Sequence, residues 1–232
     1  MGMKGKIALG AVVGIVVIGA VSANAGDGGS GGTGGTGSGD KASSSSGERT
    51  GGEKGKDTAE AAEKKAAFAG DGDFQVGSDL KPGTYRTTGN TDGMCYWERA
   101  KDSSGEVDSL LANDNVTGTS YVTVKATDKL FSSSGCEDWE AVDDKAKAKG
   151  SPATTMAGDG GMFRVGVDIA PGTYKSTGNT DDSCYWERAK DAEHGLESIT
   201  ANDNVTGSAV VTISASDAYF KTTGCQDWKK SG

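Results

Sequence analysis

Residues Phe74 to Trp139 match Phe163 to Trp228 without a gap when the chain is slid against itself by 89 positions. Roughly six positions in ten are identical, so the chain carries a duplicated unit. The shared blocks are PGTY (Pro82–Tyr85, Pro171–Tyr174), GNTD (Gly89–Asp92, Gly178–Asp181), CYWERAKD (Cys95–Asp102, Cys184–Asp191), ANDNVTG (Ala112–Gly118, Ala201–Gly207) and GC-x-DW (Gly135–Trp139, Gly224–Trp228). A unit of about 70 residues buries a marginal core, which limits the folds open to it.

Each copy holds two cysteines, Cys95 and Cys136 in the first, Cys184 and Cys225 in the second. An even count divided equally in an exported chain implies one disulfide per copy. Three pairings exist, and only the pairing within copies respects the duplication. A loop of about 40 residues closed in this way contributes about 4 kcal/mol.

The local patterns read as strands separated by turns. Pro82-Gly83 fits the centre of a type II turn, Thr84 to Thr88 is β-branched and aromatic, and Asn90 to Gly93 reads as the next turn before a strand from Met94 to Ala100. Val122, Val124 and Ala126 alternate, as do Val211, Ile213 and Ala215. Val107 to Ala112 fits either a strand or one helical turn. No amphipathic helix is evident within a copy. The expected class is all-β, two tandem antiparallel sandwich or barrel-like domains, each with one disulfide.

The flanks differ in kind. Lys4 and Lys6, an apolar run from Ile7 to Ala20, and Ala23-Asn24-Ala25 form a secretory signal over residues 1–25, or an uncleaved membrane anchor. Residues 26–68 are expected to be a disordered Gly/Ser-rich tether, with a short helix over 57–68. Copy 1 then spans 69–139, a polar linker 140–156, copy 2 157–228 and a tail 229–232. Such a linker implies that the copies move independently.

Composition excludes some functions. The net charge of −9, with no basic stripe, argues against nucleic acid. Hydrophobic content of 34% and 38 glycines argue against one large core. The single histidine, His194, faces Gly105 in the other copy, so it falls among the positions that drift. No nucleophile–histidine set can be built in copy 1, and no histidine cluster for zinc exists, so no cofactor is expected. A carboxylate-dependent hydrolase using Glu98 and Glu187 is the alternative enzymatic reading.

The candidate binding residues lie beside the cysteines. Trp97, Trp139, Trp186 and Trp228 either pack around the disulfides or form an exposed platform for sugar rings or peptide side chains. Along a strand Cys95, Trp97 and Arg99 share one face and Tyr96 and Glu98 the other. Glu98, Arg99, Glu187 and Arg188 therefore either make cross-strand ion pairs or edge a groove. Asn113-Asp114-Asn115 and its repeat Asn202-Asp203-Asn204 read as turns, with calcium ligation alongside Asp71, Asp73 or Asp92 as the alternative.

PGTY, CYWERAKD, ANDN and GC-x-DW together resemble a module found repeatedly in secreted and surface proteins of actinobacteria. The resemblance covers 69–139 and 157–228. It implies an exported or surface location and carries over no catalytic residue. Lipoprotein members have a lipobox cysteine, which this chain lacks. The expected function is a non-catalytic extracellular binding module, bivalent through its two copies, whose partner is a cell-envelope polysaccharide or a surface protein. A structural or protease-inhibitory surface protein is the remaining alternative.

Overall fold

The computed structural model describes residues 66–231. The signal or anchor over 1–25 and most of the tether lie outside that range. Eleven strands, in the sequence β1 (Gly72–Gln75), β2 (Gly83–Ala100), β3 (Leu110–Val124), β4 (Leu130–Ser134), β5 (Glu140–Ala141), β6 (Thr155–Met156), β7 (Gly161–Arg164), β8 (Gly172–Ala189), β9 (Ile199–Ile213), β10 (Tyr219–Thr223) and β11 (Trp228–Lys230), make the protein all-β. Short 3-10 turns at Val107–Ser109 and Leu196–Ser198 precede β3 and β9. Both readings of the 107–112 segment are therefore realised, the turn first and the strand after it.

Copy 1 is a single antiparallel sheet ordered β1-β4-β2-β3, with β5 added to the first half of β2. Copy 2 repeats this as β7-β10-β8-β9, with β11 on β8. The long strands β2 and β3 bend on themselves. Tyr85 from the start of β2 and Trp97 from its end consequently pack in one core with Val122, Val124, Phe131 and Trp139. Copy 2 closes the same core with Tyr174, Val211, Ile213, Phe220 and Trp228.

The bend falls where the sequence suggested a turn. Asn90 to Gly93 does not reverse the chain; it lies inside β2, whose register to β3 shifts on both sides of Asn90. Buried Asn90 donates to the Gly118 carbonyl and accepts from the Glu137 N–H, tying the bulge to the segment carrying Cys136. Asn179 makes the same two contacts with Gly207 and Gln226. A bulge with its polar groups satisfied by one side chain bends a strand without breaking the sheet. Gly83 likewise departs from the type II turn, since it opens β2 without positive φ.

The other shared blocks also hold the fold. The tyrosine of PGTY donates back to the Lys81 carbonyl at 2.7 Å, and Tyr174 does so to Ala170. Asp138 of GC-x-DW accepts the Gly70 N–H, and Trp139 Nε1 donates to Ser133 Oγ. The disulfides are Cys95–Cys136 and Cys184–Cys225, the pairing within copies.

Two boundary expectations change. Phe68 is no helix end; it bridges Trp139 as a strand residue and packs in the copy 1 core. Met156 occupies the corresponding place against Trp228. Nor are the copies joined by a polar linker alone. Thr119 of β3 pairs in parallel with Gly161 of β7, so the two sheets run into one another. A side chain at Gly161 would collide with the Thr119 carbonyl, and its φ of 77° suits glycine alone.

Candidate functional site between the copies

The copies meet through residues at which they differ and through shared ones such as Arg99 and Asp114. Tyr121, Met162, Ala189, Ala192 and Tyr219 form a third buried cluster across the junction. Of these, Tyr121, Met162, Ala192 and Tyr219 stand against Val210, Asp73, Ser103 and Leu130 in the other copy. The Tyr121 and Tyr219 rings lie 5.2 Å apart, and Tyr121 donates to Asp168 at 2.7 Å. Burial, with the Asp168 carboxylate next, pushes the Tyr121 hydroxyl well above its ordinary range.

The loop Asp191–Gly195 of copy 2 covers the Trp97 face of copy 1. Thr123 N–H donates to the Ala192 carbonyl at 2.7 Å, and Arg99 Nη1 donates to the Glu193 carbonyl at 2.7 Å. Lys125 pairs with the Glu193 carboxylate, and Lys221 with Asp114 at 2.6 Å. The His194 ring sits edge-on to Trp97 at 4.7 Å. Its Nε2 lies 2.7 Å from the Tyr121 carbonyl. A carbonyl only accepts, so Nε2 carries the proton.

Arg99 is the centre of this arrangement. Only 3% exposed, it grips Asp128 with Nε and Nη2 while Nη1 crosses to copy 2. Copy 2 keeps the pair as Arg188–Asp217, but there the arginine side chain is 26% exposed. The surface around it is uncovered, with Val210 64% exposed and Trp186 half-buried. One copy is a receiver and the other a donor, so the duplication does not give two equal faces.

The predicted site residues divide accordingly. Trp97, Trp139 and Trp228 have no exposed surface, which rules out a stacking platform at those three positions. Trp186 is half-buried; Ala209 replaces Ser120, the partner of Trp97 Nε1. Glu98 and Glu187 do not pair with arginines across strands. Each accepts from a tyrosine two residues earlier, Tyr96 at 2.7 Å and Tyr185 at 2.6 Å. Burial, then that hydrogen bond, pushes Tyr96 up to about 12. Asn113-Asp114-Asn115 and Asn202-Asp203-Asn204 lie within β3 and β9, not in turns, because their backbones pair with Tyr96–Glu98 and Tyr185–Glu187. Among the described residues no three His, Cys, Asp or Glu side chains converge to hold a metal ion.

A cleft of about 520 Å3 opens beside the junction. Arg86, Tyr121 and Glu140 of copy 1 form one wall, Arg164 of copy 2 the other, and Lys147 and Lys149 stand on the connecting segment. Arg86 pairs with Glu140 at 2.8 Å and lies over the Tyr121 ring. Arg164 donates to the carbonyls of Asp143, Asp144 and Ala146, so the connecting segment is clamped where sequence suggested a free linker. Nothing in the sequence located this cleft. The one available signal was that the residues around it differ between copies.

The histidine gives a pH prediction. Burial foremost, then the Lys221 charge, lowers His194 below its ordinary 6.5. The unfolded chain therefore takes up this proton first, and the contribution of His194 is intact above pH 6.5. It is lost as pH falls through the lowered value. Urea midpoints for wild type and His194→Gln should diverge between neutral and mildly acidic pH. Parallel curves would show that the ring is not held neutral by the junction.

A family model for the Rv1352-like extracellular domain matches twice, at residues 66–140 and 154–229. The chain belongs to this family. Uncharacterized protein Rv1352 of Mycobacterium tuberculosis and Uncharacterized protein Mb1387 of Mycobacterium bovis are each 30% identical to it over 95 residues. The match covers 36% of this chain and 76% of each relative. Its length suits one copy of the Rv1352-like domain with its flanks. No solved structure matches the chain significantly. The domain is an extracellular one, present here twice, all-β and disulfide-bonded.

Proposed function

We propose that this tandem Rv1352-like protein is a non-catalytic extracellular binding module with a single principal site, the cleft at the junction. The observation that carries the reading is the cleft's construction: both copies and the clamped connecting segment contribute walls. A concave site of this size at an interface between folded units is the usual setting for a ligand. Lys147 and Lys149 stand exposed on its rim. The partner is a cell-envelope polysaccharide or a surface protein, reached after export through residues 1–25, with the chain either released or held by that segment. Bivalent presentation gives way in this reading to one composite site, because the Trp97 face of copy 1 is covered while its counterpart is open.

Retention of the full chain on a cell-envelope polysaccharide preparation and on intact cells tests the proposal. The Lys147→Glu/Lys149→Glu variant should reduce retention at least tenfold with no change in thermal midpoint. Equal retention of variant and wild type, or no retention of either, would remove the cleft as the site.

A further inference from the structure

A second, smaller cavity, of about 200 Å3, lies between the copies away from the cleft's walls. Asn113 of copy 1 and Glu187, Asp191, His194, Ser198 and Lys221 of copy 2 line it. The geometry points to a binding site for one small neutral polyhydroxyl group, a sugar ring or a polyol. This inference is independent of the cleft.

Two buried side chains are set up for a guest. Ser198 is 1% exposed, and among the described residues its hydroxyl has no hydrogen-bond partner. Its counterpart Ser109 donates to the Glu106 carbonyl at 2.7 Å, so the unpartnered state is particular to this copy. Buried hydroxyls are ordinarily satisfied, so an exception calls for a partner, whether a water or a bound group. Glu187 is 8% exposed, with the Tyr185 hydroxyl on its carboxylate, whereas Glu98 in copy 1 is more open. The junction itself encloses Glu187, with Asn113 reaching the same cavity from the other copy.

The lining selects the class of guest. An anion would meet Glu187 and Asp191, and a cation would meet Lys221, whose charge Asp114 already balances at 2.6 Å. A neutral molecule carrying several hydroxyls can use both, since each hydroxyl donates and accepts. Asn113, Ser198 and the Lys221 N–H groups not on Asp114 offer donors, while Glu187 and Asp191 offer acceptors. The volume equals roughly six or seven waters at about 30 Å3 each. It falls below the roughly 300–1,000 Å3 of sites for larger ligands, so one ring or one short polyol fits.

Saturation-transfer NMR on the full chain with glucose, arabinose, myo-inositol and glycerol as separate probes tests the assignment, beside acetate and ethanolamine. At least one polyhydroxyl probe should bind with millimolar affinity. Glu187→Gln should weaken it at least tenfold, Ser198→Ala severalfold, and Glu98→Gln, at the matching position outside the cavity, should leave it unchanged. Ser198→Ala keeps the test sharp if Glu187→Gln fails to fold. Binding of acetate or ethanolamine alone, ordered water alone in crystals soaked with the probes, or equal effects of Glu98→Gln and Glu187→Gln would each overturn the assignment.

Discussion

Replacing Arg99 with alanine is expected to destabilise the protein by about 3–5 kcal/mol, the usual cost of leaving one partner of a buried ion pair alone. Asp128 is 1% exposed and, among the described residues, would keep only the Lys125 N–H on its carboxylate. The same change also removes the donor to the Glu193 carbonyl, so part of the loss falls on the junction. Arg188→Ala should cost less, about 1–3 kcal/mol, because water already reaches its guanidinium and it holds Asp217 without an inter-copy contact. Lysine cannot restore Arg99, since one ammonium cannot present a two-pronged contact and a third donor in fixed directions. The double change Arg99→Met/Asp128→Leu should recover most of the loss. Urea unfolding of the three variants decides it, and equal costs at 99 and 188 would remove the coupling through Arg99.

Removing the second disulfide should have an effect of similar size and a wider reach. Cys184→Ala/Cys225→Ala frees a loop of sequence separation 41, which corresponds to about 4 kcal/mol by loop entropy. If the copies folded independently, only copy 2 would unfold earlier, and two transitions would separate. The shared cluster around Tyr121 and Tyr219, with the loop over Trp97, predicts otherwise. Loss of copy 2 uncovers Trp97 and Arg99, so signals from both copies should shift together. Near-ultraviolet circular dichroism during thermal unfolding, compared with amide exchange in β2, provides the measurement. A copy 1 that keeps its wild-type midpoint would contradict the coupling.

What the sequence made legible follows a physical division. Period-two alternation, turn residues and cysteine count report on local backbone and chain topology, and the all-β class and within-copy disulfides were readable from them. The Asn90 bulge was not, because asparagine and glycine signal a turn and a bulge alike. The alternation placing Cys95, Trp97 and Arg99 on one face was readable, yet it could not say that an arginine would point inward. That depends on Asp128, 29 residues away, whose counterpart Asp217 recurs with Arg188 as a visible but unread clue. The junction was the least legible part. Identity between copies draws attention to what both need, which is the fold. His194, Tyr121, Met162 and Lys221 looked like drift because the work they do is needed once.

The loop Asp191–Gly195 laid over the Trp97 face gives the tandem a direction. Loops built alike stand in both copies: Ser104 N–H bonds Asp102 as Glu193 N–H bonds Asp191, and Gly105 and His194 both have positive φ. Only one carries the ring that seals its neighbour. A third copy docked on copy 2 in the same manner would meet Val210 and Ser214 in place of Tyr121 and Lys125, while copy 1 offers Gly105 where a seal would be needed. The sealing ring and the face it covers therefore each occur once in the pair, which fixes copy 1 as the receiver and copy 2 as the donor.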